Sequence, residues 1–150
     1  MKFLFGLLAC VAVYAFNWVV VQLGGYVRFE WIDIPMHALG GVVAGLLVMG
    51  VIDLVVKKVE LKKGWVRYEG LLYWVVVIAG VALIATAWEL YEFLMDSVRF
   101  GNVWQQIVEE RAIGVHQPSV TDTMIDYVMG LSGGTVAVVM MHMYEKYLGD

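Results

Sequence analysis

Four long apolar runs, separated by shorter polar stretches, organise this chain: residues 3–23, 36–56, 71–94 and 124–147. Each is rich in Val, Leu, Ile, Ala and Met, and each has the length of about 20 residues that crosses the hydrocarbon core of a bilayer. None alternates apolar and polar positions as a barrel strand would. Backbone groups in lipid must be satisfied within their own segment, so helices are expected. The pattern predicts an all-α polytopic membrane protein, with residues 1–150 forming a single four-helix transmembrane domain. The first run needs one check. Lys2 before an apolar stretch fits a signal peptide, and Leu7-Leu8-Ala9-Cys10 resembles a lipoprotein cleavage box. The apolar run continues past Cys10 to Val21, too far for a signal core, so a retained helix is expected, with Cys10 as a packing residue.

Composition narrows the function classes. Of the 150 residues, 61% are hydrophobic and 16% charged, against about 45–50% and about 25% in soluble domains. Disorder, a nucleic-acid-binding arm and an ordinary cytosolic enzyme are excluded. A net charge of −4 provides no basic stripe for a phosphate backbone, so no nucleic-acid partner is expected. The single cysteine cannot make an intrachain disulfide.

Charge placement sets direction. Lys57, Lys58, Lys62, Lys63 and Arg67 lie between the second and third runs, with Lys2 and Lys146 at the termini. Opposite them stand only Arg28, Arg99 and Arg111. The positive-inside rule puts both termini in the cytoplasm, in a bacterial plasma membrane. Trp31, Trp65, Tyr68, Tyr73, Trp74, Trp88, Trp104 and Tyr144 fall near the run ends, as an aromatic belt does. In the stretch 96–121, Val103, Trp104, Ile107 and Val108 could form one face of an interfacial helix, or belong to an ordered loop. Ser119 and Asp122, after Pro118, read as a capping box opening the last helix.

Polar residues inside the runs follow a pattern. Asp33, His37, Gly41 and Gly45 are spaced by four, and so are Asp122, Asp126, Gly130 and Gly134. Residues four apart share a helix face, so each helix carries two polar groups above a glycine strip that admits a close neighbour. Two parallel helical hairpins related by duplication would explain this, and so would chance in a glycine-rich chain. The third run ends with Glu89, Glu92 and Asp96 on one face. Glu89 lies about 27 Å along that helix from Leu71, near the outer boundary of the hydrocarbon. His37 and Asp126 reach the same level from the outer side.

Acids at that depth require compensation. A divalent cation (Zn, Mn or Fe) held by His37, Glu89, Glu92 and Asp126 would supply it, with Asp33 and Asp122 as supporting polar residues. So would protonation of some acids, or pairing with Arg99 or Arg111. A polar network that only fixes helix packing is the plainest reading. Asn17 and Gln22 could line the same cavity or tie helices together. Asp53 is expected to reach water or Lys57, and His116 to be a solvated loop residue or a further member of the cluster. Tyr91 and Tyr127 could donate hydroxyls near the acids or belong to the belt. No Ser–His–Asp pattern, phosphate loop or Cys pair is present, which argues against serine or cysteine nucleophilic catalysis.

Asp33, His37, Gly40 and Gly41, then Trp88-Glu89-x-x-Glu92-Phe93, then Asp122-Thr123-x-x-Asp126 with Gly130 and Gly134, resemble the small bacterial membrane proteins of the YjdF-like and VanZ-like families. The resemblance runs from Asp33 to Gly134 and implies that this outer-face cluster is the important site. VanZ-like proteins are associated with glycopeptide-antibiotic resistance at the cell envelope, whereas no reaction is implied by the YjdF-like ones. Three functions stay open. The cluster could bind or act on a lipid or envelope component, in the sharpest form through a metal that activates water. The chain could be a non-enzymatic membrane subunit or stabiliser. It could be a proton- or cation-coupled carrier, with a homo-oligomer supplying the lumen that four spans lack.

Overall fold

The computed structural model describes residues 2–58, 70–100 and 119–147. Helix α1 spans Lys2–Gln22, a short α2 spans Gly25–Arg28, and a 3-10 turn over Glu30–Ile32 leads into α3, Asp33–Lys58. Helix α4 spans Leu71–Phe100 and α5 spans Val120–Tyr147. Four of these helices are long and apolar enough to cross a membrane, as the runs of the sequence predict. Among the described residues there is no strand.

The helices overrun the apolar runs, chiefly at one end of the bundle. Helix α3 starts at Asp33 rather than Met36, with Pro35 in its first turn, where a missing N–H removes no intrahelical bond. Helix α5 starts at Val120, capped by Ser119: the Asp122 N–H donates to Ser119 Oγ at 3.1 Å, as the predicted cap requires. These extra turns put Asp33 and Asp122 on helices, one turn above His37 and Asp126. Between α1 and α3 the chain reverses through Gly24, whose left-handed φ of 63° a side chain would resist. The lysine loop, with Lys62, Lys63, Arg67, Trp65 and Tyr68, lies outside the described residues, as do Trp104, Arg111, His116 and the proposed interfacial helix. The same holds for the side chains of Asp96 and Arg99.

Helix α3 is the hub. It packs most extensively on α5 and also on α1 and α4, while α4 packs on α5. Its seam with α5 is built from small residues. A Cβ on Gly41 would run into the backbone of Gly130, and one on Gly133 into the backbone of Ala38. A Cβ on Gly45 would lie 3.1 Å from Ala137 Cβ and 3.2 Å from Gly134 O. Gly41 thus meets Gly130, Gly45 meets Gly134, and His37 meets Asp126, all at one offset of 89 residues. The two spaced-by-four patterns are therefore the two sides of one parallel seam. Lipid offers no hydrophobic drive for helices to associate, so close backbone approach has to supply the attraction.

The rest of the core completes this seam. Val81 of α4 packs against Gly134, and Gly80 of α4 faces the Val48 side chain. Met49, Val77, Val81 and Val138 are almost wholly buried. Helix α1 comes backbone-close to α3 at Gly6, where a Cβ would lie 3.1 Å from Leu47 Cα. Large apolar side chains such as Phe5, Leu8, Leu83, Val128 and Met140 point outward, a surface that suits a bilayer. Exposed hydroxyls are returned to their own helices: Ser132 donates to Val128 O at 2.7 Å and Thr135 to Leu131 O at 2.9 Å.

The seam makes a pairwise prediction. Gly41→Ala forces Cβ into the Gly130 backbone and should destabilise the detergent-solubilised protein by about 1–3 kcal/mol, the usual overpacking cost. At adjacent Gly40 a Cβ meets nothing within 4 Å, so Gly40→Ala should hold or raise the midpoint of thermal unfolding. Equal effects of the two changes would show that the seam is not close-packed.

Candidate functional site

The cluster sits where α3 and α5 begin and α4 approaches its end. His37 is its centre. Its Nε2 lies 3.4 Å from Asp33 Oδ1 and 3.7 Å from Asp126 Oδ1, while Nδ1 lies 3.8 Å from Glu89 Oε1. Each element delivers its part for a local reason. Asp33 and His37 are one turn apart on α3, Glu89 and Glu92 share a face of α4, and the glycine seam brings Asp126 up to the imidazole. Glu89, Glu92 and Asp126 are buried, at 6%, 7% and 2% exposure.

The carboxylates are only partly satisfied. Glu92 Oε1 accepts a hydrogen bond of 2.8 Å from Trp88 Nε1, one helical turn away. Glu92 Oε2 and Asp126 Oδ2 are buried and accept no hydrogen bond among the described residues. An ionised carboxylate can only accept, so these two oxygens call for a donor or a cation. Asp122 Oδ2 is also buried and accepts no hydrogen bond among the described residues, one turn above Asp126.

A cavity of about 230 Å³ opens from the cluster. Asp33, His37, Glu89, Glu92 and Asp126 line one end, with Trp88 beside them. The other end is apolar, walled by Val13 and Cys10 of α1, Ala44 and Leu47 of α3 and Val81 of α4. From His37 to Leu47 is ten residues of helix, so the cavity runs for about 15 Å along the bundle. It is a trench with an acidic head and an apolar tail. Asn17 lines it, as the sequence suggests; Gln22 does not.

Tyr26 closes the acidic end and is the site residue that the sequence reading misses. It lies in the connection between spans, where only the turn-forming Gly24-Gly25 pair hints at a fixed position. Its hydroxyl donates to Asn17 Oδ1, tying α2 to α1. Burial, and then the nearby charges of Asp33, Glu92 and Asp126, push the phenol well above its ordinary range, so it stays a hydrogen-bond donor. The other tyrosines are less involved. Tyr127 donates to Thr86 Oγ1 at 2.6 Å, not to an acid, and Tyr91 packs its ring on Trp88 at 5.6 Å between centroids.

Two groups of ligand atoms within 4.8 Å of one another could hold a metal ion: Asp33, His37 and Asp126, and His37, Glu89 and Glu92. They use opposite nitrogens of one imidazole, since Nε2 faces Asp33 and Asp126 and Nδ1 faces Glu89. A single ion binds one nitrogen of a ring, so the set expected from sequence (His37, Glu89, Glu92 and Asp126) divides between two sides of His37.

Trp88→Phe should leave Glu92 with neither oxygen hydrogen-bonded and destabilise the protein by about 1–3 kcal/mol. Adding Glu92→Leu removes the orphaned acid and should restore most of that loss, because replacing both partners of a buried pair with apolar groups is nearly neutral. Thermal unfolding of the two single variants and the double variant checks this. Additive losses would mean that the Trp88–Glu92 bond carries no coupling.

A model of one protein family, described as a predicted membrane protein (DUF2238), matches residues 1–147. Neither the curated proteins nor the solved structures contain a match to the chain.

Proposed function

The chain belongs to the DUF2238 family of predicted membrane proteins, and from that premise we propose that it binds a membrane-resident amphiphile, a lipid or envelope component, with its polar head at the His37 cluster and its chain in the trench. One observation carries the reading: a single cavity joins buried, unsatisfied carboxylates to an apolar groove between α1 and α4. A polar network that served packing alone would have no reason to open onto a groove about 15 Å long. Lys57 and Lys58 end α3 and Lys146 ends α5, at the far end of the bundle from the cluster. By the positive-inside rule the head site then faces outward, where envelope components are handled. The resemblance to YjdF-like and VanZ-like proteins supports the same setting.

A second reading has its own support. The ligand groups at Asp33, His37 and Asp126, or at His37, Glu89 and Glu92, suit Zn, Mn or Fe by donor type. A metal there would bridge the acids to an anionic head and could activate water. Elemental analysis of tag-free protein beside Asp126→Asn tests it: near-stoichiometric metal lost in the variant supports the metal, and metal-free folded protein removes it.

The amphiphile reading is tested by filling the trench. Gly40 lines the cavity and has open space where a side chain would stand, so Gly40→Phe should fold and occlude the groove. Diazirine-labelled lipids in membranes of the expressing host should photo-crosslink to the native protein on α1, α3 or α4 trench residues. Gly40→Phe should reduce that capture at least about tenfold, the effect of roughly 1.4 kcal/mol of lost binding. Identical capture by both proteins, at lipid-facing residues only, would reject an internal site.

A further inference from the structure

We infer that the Nε2 side of His37 is a site for a divalent transition-metal ion, with Asp33, His37 and Asp126 as ligands and Glu89 as an outer partner on Nδ1. The inference rests on the metal reading and says which of the two candidate groups takes the ion.

Counting donors separates the two sides. Neutral or protonated, an imidazole nitrogen carries at most one proton, directed along one line in the ring plane. On the Nε2 side two carboxylates converge, Asp33 Oδ1 at 3.4 Å and Asp126 Oδ1 at 3.7 Å. A single N–H serves one of them and leaves the other. On the Nδ1 side Glu89 Oε1 stands at 3.8 Å, and Glu92 has a donor of its own in the Trp88 indole. Asp126 is only 2% exposed, and its Oδ2 accepts no hydrogen bond among the described residues. A cation at Nε2 satisfies Asp33 and Asp126 together.

The spacing suits an ion. Ligand atoms held about 2.0–2.2 Å from zinc stand about 3–3.6 Å apart. Nε2 is 3.4 Å and 3.7 Å from the two oxygens, and one ligand atom from each residue falls within 4.8 Å of the others. Small rotations of the two aspartates close the set. The glycine seam holds them ready: Gly41 meets Gly130 one turn below His37 and Asp126, which fixes α5 opposite α3 at this level. One imidazole and two carboxylates suit Mn, Fe or Zn. With an ion on Nε2 the ring proton sits on Nδ1, facing Glu89, as the outer carboxylate of a metal-bound histidine does. All three ligand residues line the cavity, so positions that they leave open on the ion are available to water or to an oxygen of the amphiphile's head.

The test uses tag-free protein in a non-ionic detergent, stripped with a chelator and titrated with Mn(II) alone under electron paramagnetic resonance. A single ion should bind per chain, and pulsed spectra should show coupling to an imidazole nitrogen. Asp33→Asn and Asp126→Asn should each weaken binding by more than Glu89→Gln, for which the loss of an outer partner predicts about 10–100-fold. Glu92→Gln, outside the ligand set, should cost less than Glu89→Gln. Circular dichroism checks each variant; Asp33→Asn, whose side chain is 25% exposed, carries the ligand test if Asp126→Asn unfolds. Zn(II) and Fe(II) are followed by elemental analysis in the same variants.

Binding lost in Glu92→Gln and kept in Asp33→Asn moves the ion to the Nδ1 side and overturns the assignment, with the metal reading intact. Equal losses in all four carboxylate variants overturn it as well. Mn(II) bound without imidazole coupling is an adventitious ion only and also overturns it. Failure of all three metals to bind removes the metal reading too and leaves the amphiphile reading standing.

Discussion

Backbone touching backbone along Gly41–Gly130 and Gly45–Gly134 is the constraint on which the rest of this molecule depends. Lipid chains are as apolar as leucine, so helices in a bilayer gain little by hiding apolar faces from their solvent. They gain by approaching closely, and only residues without bulky side chains allow it. Once α3 and α5 are locked in parallel at that distance, the residues one turn above the glycines have no freedom left. His37 and Asp126 must face each other, and α4 fits into the seam through Val81.

The cluster is thus a product of packing geometry, yet packing does not require it. Insertion of an aspartate at the centre of a membrane helix costs about 3 kcal/mol; nearer the boundary the cost is smaller, and burial away from water still leaves each acid unfavourable. Pairing with His37 and the Trp88 indole offsets part of this. Glu92 Oε2 and Asp126 Oδ2 are left over. A network selected only to hold helices together would do better with leucines at these positions. These half-satisfied acids beside a groove are the observation on which the proposed ligand site rests.

Much of this was legible in the residues. The four spans follow from run length, because the thickness of a bilayer leaves few other solutions. The cluster of His37, Glu89, Glu92 and Asp126 follows from helical spacing and a common depth, and the structure brings His37 together with the other three. The spaced-by-four patterns could be read as a repeat, but not as one seam; which face meets which is a tertiary fact that periodicity does not encode. Tyr26 was invisible for a similar reason. A tyrosine in a short connection carries no periodic signal, and its place over Asn17 depends on the turn at Gly24. The cavity's extent and its apolar end were invisible too, because empty space is left by the arrangement of the helices and belongs to no single one. Nor could spacing show that His37 presents different nitrogens to Asp126 and Glu89.

Helix α1 carries none of the carboxylates and packs chiefly on α3. It is held backbone-close at Gly6 and, through Asn17, by Tyr26, while Cys10, Val13 and Tyr14 between those points wall the trench. His37 and the four acids all belong to α3, α4 and α5. The chemistry and its enclosure are therefore separate assemblies. The polar cluster is complete among the last three helices, and the first helix is what turns an open groove on their surface into a compartment.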